Sequence, residues 1–167
     1  MGTVIRRGGP QDARFLRDML RHALYWREQV PGSRVSRYAR GWGRPGDAAV
    51  IALEDGFAVG AAWYRLFSEE EPGYGFVDEQ TPELAIAVVP SKRGQGIGEQ
   101  LLAALIEQAR ADGHGWLSLS VEPQNPSRKL YERFGFAVVE EGTEAWTMKA
   151  RVASPPESAT ERVDDGM

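Results

Sequence analysis

The sequence predicts a single α+β domain whose mixed, mostly antiparallel sheet is flanked by helices, and three observations carry that prediction. Asp55-Gly56 lies between two β-rich arms in "AAVIALEDGFAVGAAWYRLF" and tolerates the positive φ angles of a type I′ hairpin turn. Farther on, "PELAIAVV", a glycine-spaced turn and an amphipathic helix follow one another before the next buried-strand pattern, "HGWLSLSVEP". Two last β-like runs, "FAVVEEG" and "EAWTMKA", read as an antiparallel pair. A chain of 167 residues is long enough for one substantial core and short for two.

Taken in order, Val4 and Ile5 give a first short strand, and Asp12 precedes a helical stripe of Phe15, Leu16, Met19, Leu20 and Leu24. From Tyr25 to Asp47 aromatics, arginines, glycines and two prolines alternate, which predicts a short helix inside a mobile connection. The hairpin follows, then the acidic, turn-rich loop "SEEEPGYGFVDEQT" and the strand that begins near Glu83. In the next helix Ile97, Leu101, Leu102, Leu105, Ile106 and Ala109 fall on one stripe, the pattern of a core-facing helix. "NPSRKLYERFG" is a short helix ended by Gly135. The domain is expected to span 1–150. Residues 151–167, with two adjacent prolines and few large apolar side chains, have the composition of a disordered tail.

Composition narrows the function classes. A formal charge of -4 argues against a nucleic-acid partner, because phosphate neutralisation needs a basic face. Zero cysteines remove disulfides, thiol nucleophiles and thiolate metal sites, and His22 and His114 lie too far apart in sequence to suggest a metal site. The longest apolar runs fall short of the roughly 20 residues that span a bilayer, and "MGTVIRR" lacks a signal-peptide hydrophobic region. A cytoplasmic protein with no metal, no nucleic acid and no membrane contact is the expectation.

The informative stretch is "VVPSKRGQGIGEQLL". Gly94, Gly96 and Gly98 remove side chains from the first turn of the helix, so backbone N–H groups point outward at the positive end of the helix dipole. That arrangement suits an anion. A Walker A loop needs Lys-Ser or Lys-Thr after its glycines, and a dinucleotide fingerprint needs a glycine where Glu99 stands. The spacing present is Arg93-x-x-Gly96-x-Gly98.

With that spacing, the stretch resembles the acetyl-CoA pyrophosphate loop of the GNAT superfamily of N-acetyltransferases, R/Q-x-x-G-x-G/A after a strand. "LSLSVEPQNPSRKLYERFGF" is similar to the family's second motif, a strand, an Asn and a helix that carries Tyr and ends in Gly-Phe. The resemblance runs from about Glu83 to Phe136. It implies the GNAT fold with splayed central strands, acetyl-CoA as cosubstrate, an amine as the second substrate, and a homodimer by analogy with relatives.

The same resemblance implies site residues. Val88, Val89, Arg93, Gly94, Gly96 and Gly98, with Asn125 and Ser127, would hold acetyl-CoA, the Val88 N–H facing the acetyl oxygen. Asn125 also reads as a simple helix cap. Tyr131, six residues after Asn125, matches the family's general acid, and Glu83 stands near where some relatives place a base. A lysine-like amine has a pKa of roughly 10.4, so a base is useful. A phenol near 10 lies only about 1.5 units above a thiol near 8.5. Acceptor choice would rest with Tyr25 to Asp47 and Ser68 to Thr81. A non-catalytic acyl-CoA sensor of the same fold, and a nucleotide-phosphate-binding domain of another fold, stay open as alternatives.

Overall fold

A computed structural model describes residues 2–24 and 33–153. Among these residues seven strands form one sheet in the order β1-β2-β3-β4-β5-β7-β6. They are β1 (Thr3–Arg7), β2 (Ala48–Glu54), β3 (Phe57–Arg65), β4 (Glu83–Val88), β5 (Trp116–Val121), β6 (Ala137–Glu141) and β7 (Trp146–Arg151). Among the described residues three α-helices accompany them: α1 (Ala13–Leu24), α2 (Ile97–Ala111) and α3 (Ser127–Arg133). The α+β class is as expected.

Neighbouring strands pair antiparallel except β4 and β5, which run parallel and share the single register pair Glu83↔Ser118. The β2–β3 turn is the I′ hairpin, with Glu54 opposite Phe57 and positive φ at both Asp55 (53°) and Gly56 (82°).

Two cores lie on the two faces of the sheet. On one face α2 buries Ile97, Leu101, Leu102, Leu105, Ile106 and Ala109 against Val50, Ala52, Ala62 and Leu84. On the other, α1 buries Leu16, Met19, Leu20 and Leu24 against Ile51, Ala61, Trp63, Ala85 and Ala87. Each fully buried leucine contributes about 1.5–3 kcal/mol.

The second half of the long connection is pinned, against the expectation of mobility. A 3₁₀ turn, Val35–Tyr38, is the expected short helix. Arg65, 1% exposed, forks onto Asp47 at 2.9 and 2.7 Å and also donates to the carbonyls of Arg37 and Arg40. Trp63 Nε1 donates to the Tyr38 carbonyl at 3.0 Å. A buried cation that needs four acceptors fixes the chain supplying them. Trp26, Arg27 and the rest of 25–32 lie outside the described residues.

At the other end β7 runs through Arg151. Val152 is buried, and its N–H donates to the Gly115 carbonyl at 2.8 Å. The packed chain thus passes the expected boundary at Ala150, because Val152 covers the bottom of the core; 154–167 lie outside the described residues. Among the described residues no helix is long and apolar enough to cross a membrane.

Candidate active site

Strand β4 places the site. Alternation along it sends Leu84, Ile86 and Val88 toward α2 and Glu83, Ala85 and Ala87 toward α1. Its hydrogen bonds alternate too. The Val89 N–H reaches the Val59 carbonyl at 2.9 Å, so the Gly60↔Val88 and Ala62↔Ile86 pairs are the non-bonded ones. The polar backbone groups of Ile86 and Val88 therefore face β5. Beyond Ser118, β5 no longer pairs with β4, and the sheet splits. A cleft of about 830 Å³ fills the split, lined by β4, by Leu119 to Glu122, by the glycine turn, and by Asn125 to Ser127 with Leu130 and Tyr131. It reaches through to the other face at His22, Tyr38 and Glu83.

The glycine turn sits at one end. Gly94 and Gly96 have φ of +81° and +82°, a region that penalises any side chain. Among the described residues nothing lies within 4 Å of a Cβ built at Gly94, Gly96 or Gly98, and no side chain caps the helix. The amides from Gly94 to Glu99 donate no hydrogen bond to the described residues. Lys92 pairs with Glu54, and Arg93 Nε donates to the Val88 carbonyl at 3.1 Å. This is a bare set of donors at a helix N-terminus, suited to a polyanion.

Tyr131 faces the cleft from α3 and is 8% exposed. The helix ends in a Schellman motif: the Phe136 N–H donates to the Tyr131 carbonyl and the Gly135 N–H to Glu132, each at 3.0 Å, with Gly135 at φ +93°. Phe136 packs edge-on against the Tyr131 ring, centroids 6.1 Å apart. Burial alone pushes the phenol up to about 12, because a phenolate there would lose its hydration. The 1.5-unit gap to a thiol expected from unperturbed values is thus widened.

Asn125 acts as a turn residue just before α3: its Oδ1 accepts the Ser127 N–H at 2.8 Å. Both residues also border the cleft. Val89 does not fit the expected cofactor role. Its N–H is engaged by Val59, its carbonyl accepts the Lys92 N–H at 2.9 Å, and it lies outside the cleft lining.

Glu83 stands where the split begins and is 2% exposed. Its Oε2 accepts the Tyr38 hydroxyl and the Gly75 N–H, the latter at 2.9 Å. Glu83 and Tyr131 therefore approach the cleft from opposite faces of the sheet. Sequence reasoning did not find the partnership with Tyr38, nor His22 and the Ile86 backbone at the cleft; 45 residues separate Tyr38 from Glu83, and no spacing rule spans that distance.

Comparison with known proteins agrees with the geometry. The model of the Acetyltransferase (GNAT) family matches residues 13–136. The mycothiol acetyltransferase of Corynebacterium aurimucosum is 29% identical over 130 residues, 71% of this chain and 41% of that protein. The L-methionine sulfoximine/L-methionine sulfone acetyltransferase of Pseudomonas paraeruginosa is 38% identical over 76 residues, 45% of this chain and 43% of that protein. The matches to these curated relatives thus span less than half of their length. A solved structure, the phosphinothricin acetyltransferase of Sinorhizobium meliloti in complex with AcCoA, superposes with a TM-score of 0.66 at 22% identity, covering 94% of this chain and 95% of that one. Split sheet, bare glycine turn and family match converge: the chain belongs to the GNAT family of acetyltransferases.

Proposed function

We propose that the protein transfers the acetyl group of acetyl-CoA to an amine by direct attack, with both substrates bound together. The observation that carries this reading is the continuity of one cleft, from the bare amides at Gly94 to Glu99, past the Val88 backbone, to Glu83. Acetyl-CoA fits the donors present, and it supplies an activated acyl thioester. The amides of the glycine turn would take its pyrophosphate, and Asn125 and Ser127 would border its arm.

The chain's own groups supply the rest. An amine entering from the α1 face meets Glu83 beside Tyr38 and His22. Glu83 removes the ammonium proton, directly or through water, since only the neutral amine is nucleophilic. The Val88 N–H, in the gap, meets negative charge that builds on the acyl oxygen. Tyr131 holds a proton for the sulfur that leaves. A phenol at about 12 lies about 3.5 units above a free thiol, but the same dry pocket also disfavours a thiolate. The proton therefore moves as the carbon–sulfur bond breaks, not before.

The test is thiol release from acetyl-CoA across polyamines, amino acids, aminoglycosides and peptide amino termini. Amine-dependent release with a mass gain of one acetyl group on the acceptor is expected. Acetyl-CoA binding without such release would overturn the reading in favour of a sensor.

A further inference from the structure

Glu83 is held by more than its own strand, and the groups that hold it come from two connecting segments, one before β2 and one between β3 and β4. Its Oε2 receives two donors, the Tyr38 hydroxyl and the Gly75 N–H. The Tyr38 hydroxyl accepts the Tyr74 N–H at 2.8 Å; with that lone pair engaged, its single proton is directed at Glu83. Tyr38 itself cannot swing. Its carbonyl takes Trp63 Nε1, and its ring is stacked on Tyr74 at 6.3 Å and edge-on to Phe67 at 5.1 Å.

Gly73 closes the arrangement. A Cβ there would lie 2.2 Å from Glu83 Oε1 and 2.9 Å from the Tyr38 hydroxyl. The φ of Gly73 lies outside the left-handed region, so alanine is acceptable to the backbone and would act through these contacts alone.

We propose that Tyr38 and Gly73 are positioning residues that fix the Glu83 carboxylate at the split of the sheet, an inference that rests on reading Glu83 as the base. Tyr38 supplies the donor that orients one carboxylate oxygen. Gly73 leaves the space in which the carboxylate lies. Among the described residues, titratable or charged groups around Glu83 include Tyr74, His22 across the cleft, Arg65 on the adjacent strand, and Arg34 over the Tyr74 ring. Arg65 is already committed to Asp47.

The experiment follows the Glu83 carboxyl by carbon NMR in protein labelled at the glutamate δ-carbon, the resonance assigned by its loss in Glu83→Gln. In Tyr38→Phe and in Gly73→Ala the titration midpoint is expected to rise by about one unit or more, because each substitution takes hydrogen-bond donation from the charged form. In both, amine-dependent turnover should fall about tenfold or more, with the KM for acetyl-CoA little changed. A midpoint and turnover unchanged in both variants would overturn the proposal. A melting temperature that falls while the midpoint stays in place would also overturn it, since that is a merely structural role. If the midpoints move but Glu83→Gln keeps full turnover, the positioning stands and the reading of Glu83 as base is what fails.

Discussion

Tyr131 shows how one environment sets both a chemical and a stability property. Removing its hydroxyl in Tyr131→Phe should lower turnover about tenfold or more, while acetyl-CoA affinity by calorimetry stays within about twofold of the parent. Its pKa of about 12 also has a consequence for folding. The folded value lies above the unfolded one near 10. Stability from burying the neutral phenol is therefore complete below about pH 10 and is lost as pH rises from there through about 12. Urea midpoints measured from pH 9 to 11.5 should fall more steeply in the parent than in Tyr131→Phe. The place of Tyr131 at the cleft was legible because a local motif, Asn125 to Phe136, carries it. Glu83 was named as a candidate base through the family resemblance, but its partners Tyr38 and Gly75 were not, because they come from other segments and meet it only after folding.

At the scale of elements, the glycine turn and the pinned connection make opposite demands on the chain. Gly96 at φ +82° should carry alanine only at a cost of about 1–2 kcal/mol, and a methyl there reorients the first amides of α2. Gly96→Ala is expected to weaken acetyl-CoA binding about tenfold in a calorimetric titration, with a lowered melting temperature. Asp47→Ala leaves the Arg65 charge, 1% exposed, without its carboxylate, which costs about 3–5 kcal/mol. A fall of that size in urea unfolding free energy checks it. The helices, the hairpin and the closing strand pair were readable from periodicity and turn chemistry, since those signals are local. The pinning of 33–47 was not, because it depends on an arginine in β3 reaching acceptors 18 to 28 residues away. The same limit explains Val89: its apolar character reads as strand, and only the register with Val59 shows that its backbone is already engaged.

Across the whole molecule, the split between β4 and β5 is where the sheet leaves its own hydrogen bonding incomplete. The Ile86 and Val88 amides face the gap, whereas the Val89 amide is paired. Hydrogen exchange should accordingly be fast at Ile86 and Val88 in the free protein and slow when acetyl-CoA is added, with Val89 protected in both states. Equal protection at all three in the free protein would show that the gap is closed in solution. The split itself could be anticipated only through family resemblance, because nothing in "LAIAVV" or "LSLSV" says that two such strands part after one pair. It also gives the molecule two separate doors. Under the proposed reaction the acyl carrier and the amine enter from opposite faces and meet only at the slot, so neither has to leave before the other can pass. The lining on the amine's side, His22 to Leu24 with Tyr38, comes from α1 and the connection after it, whereas the glycine turn lines the other end, so the two ends are built from different segments of the chain.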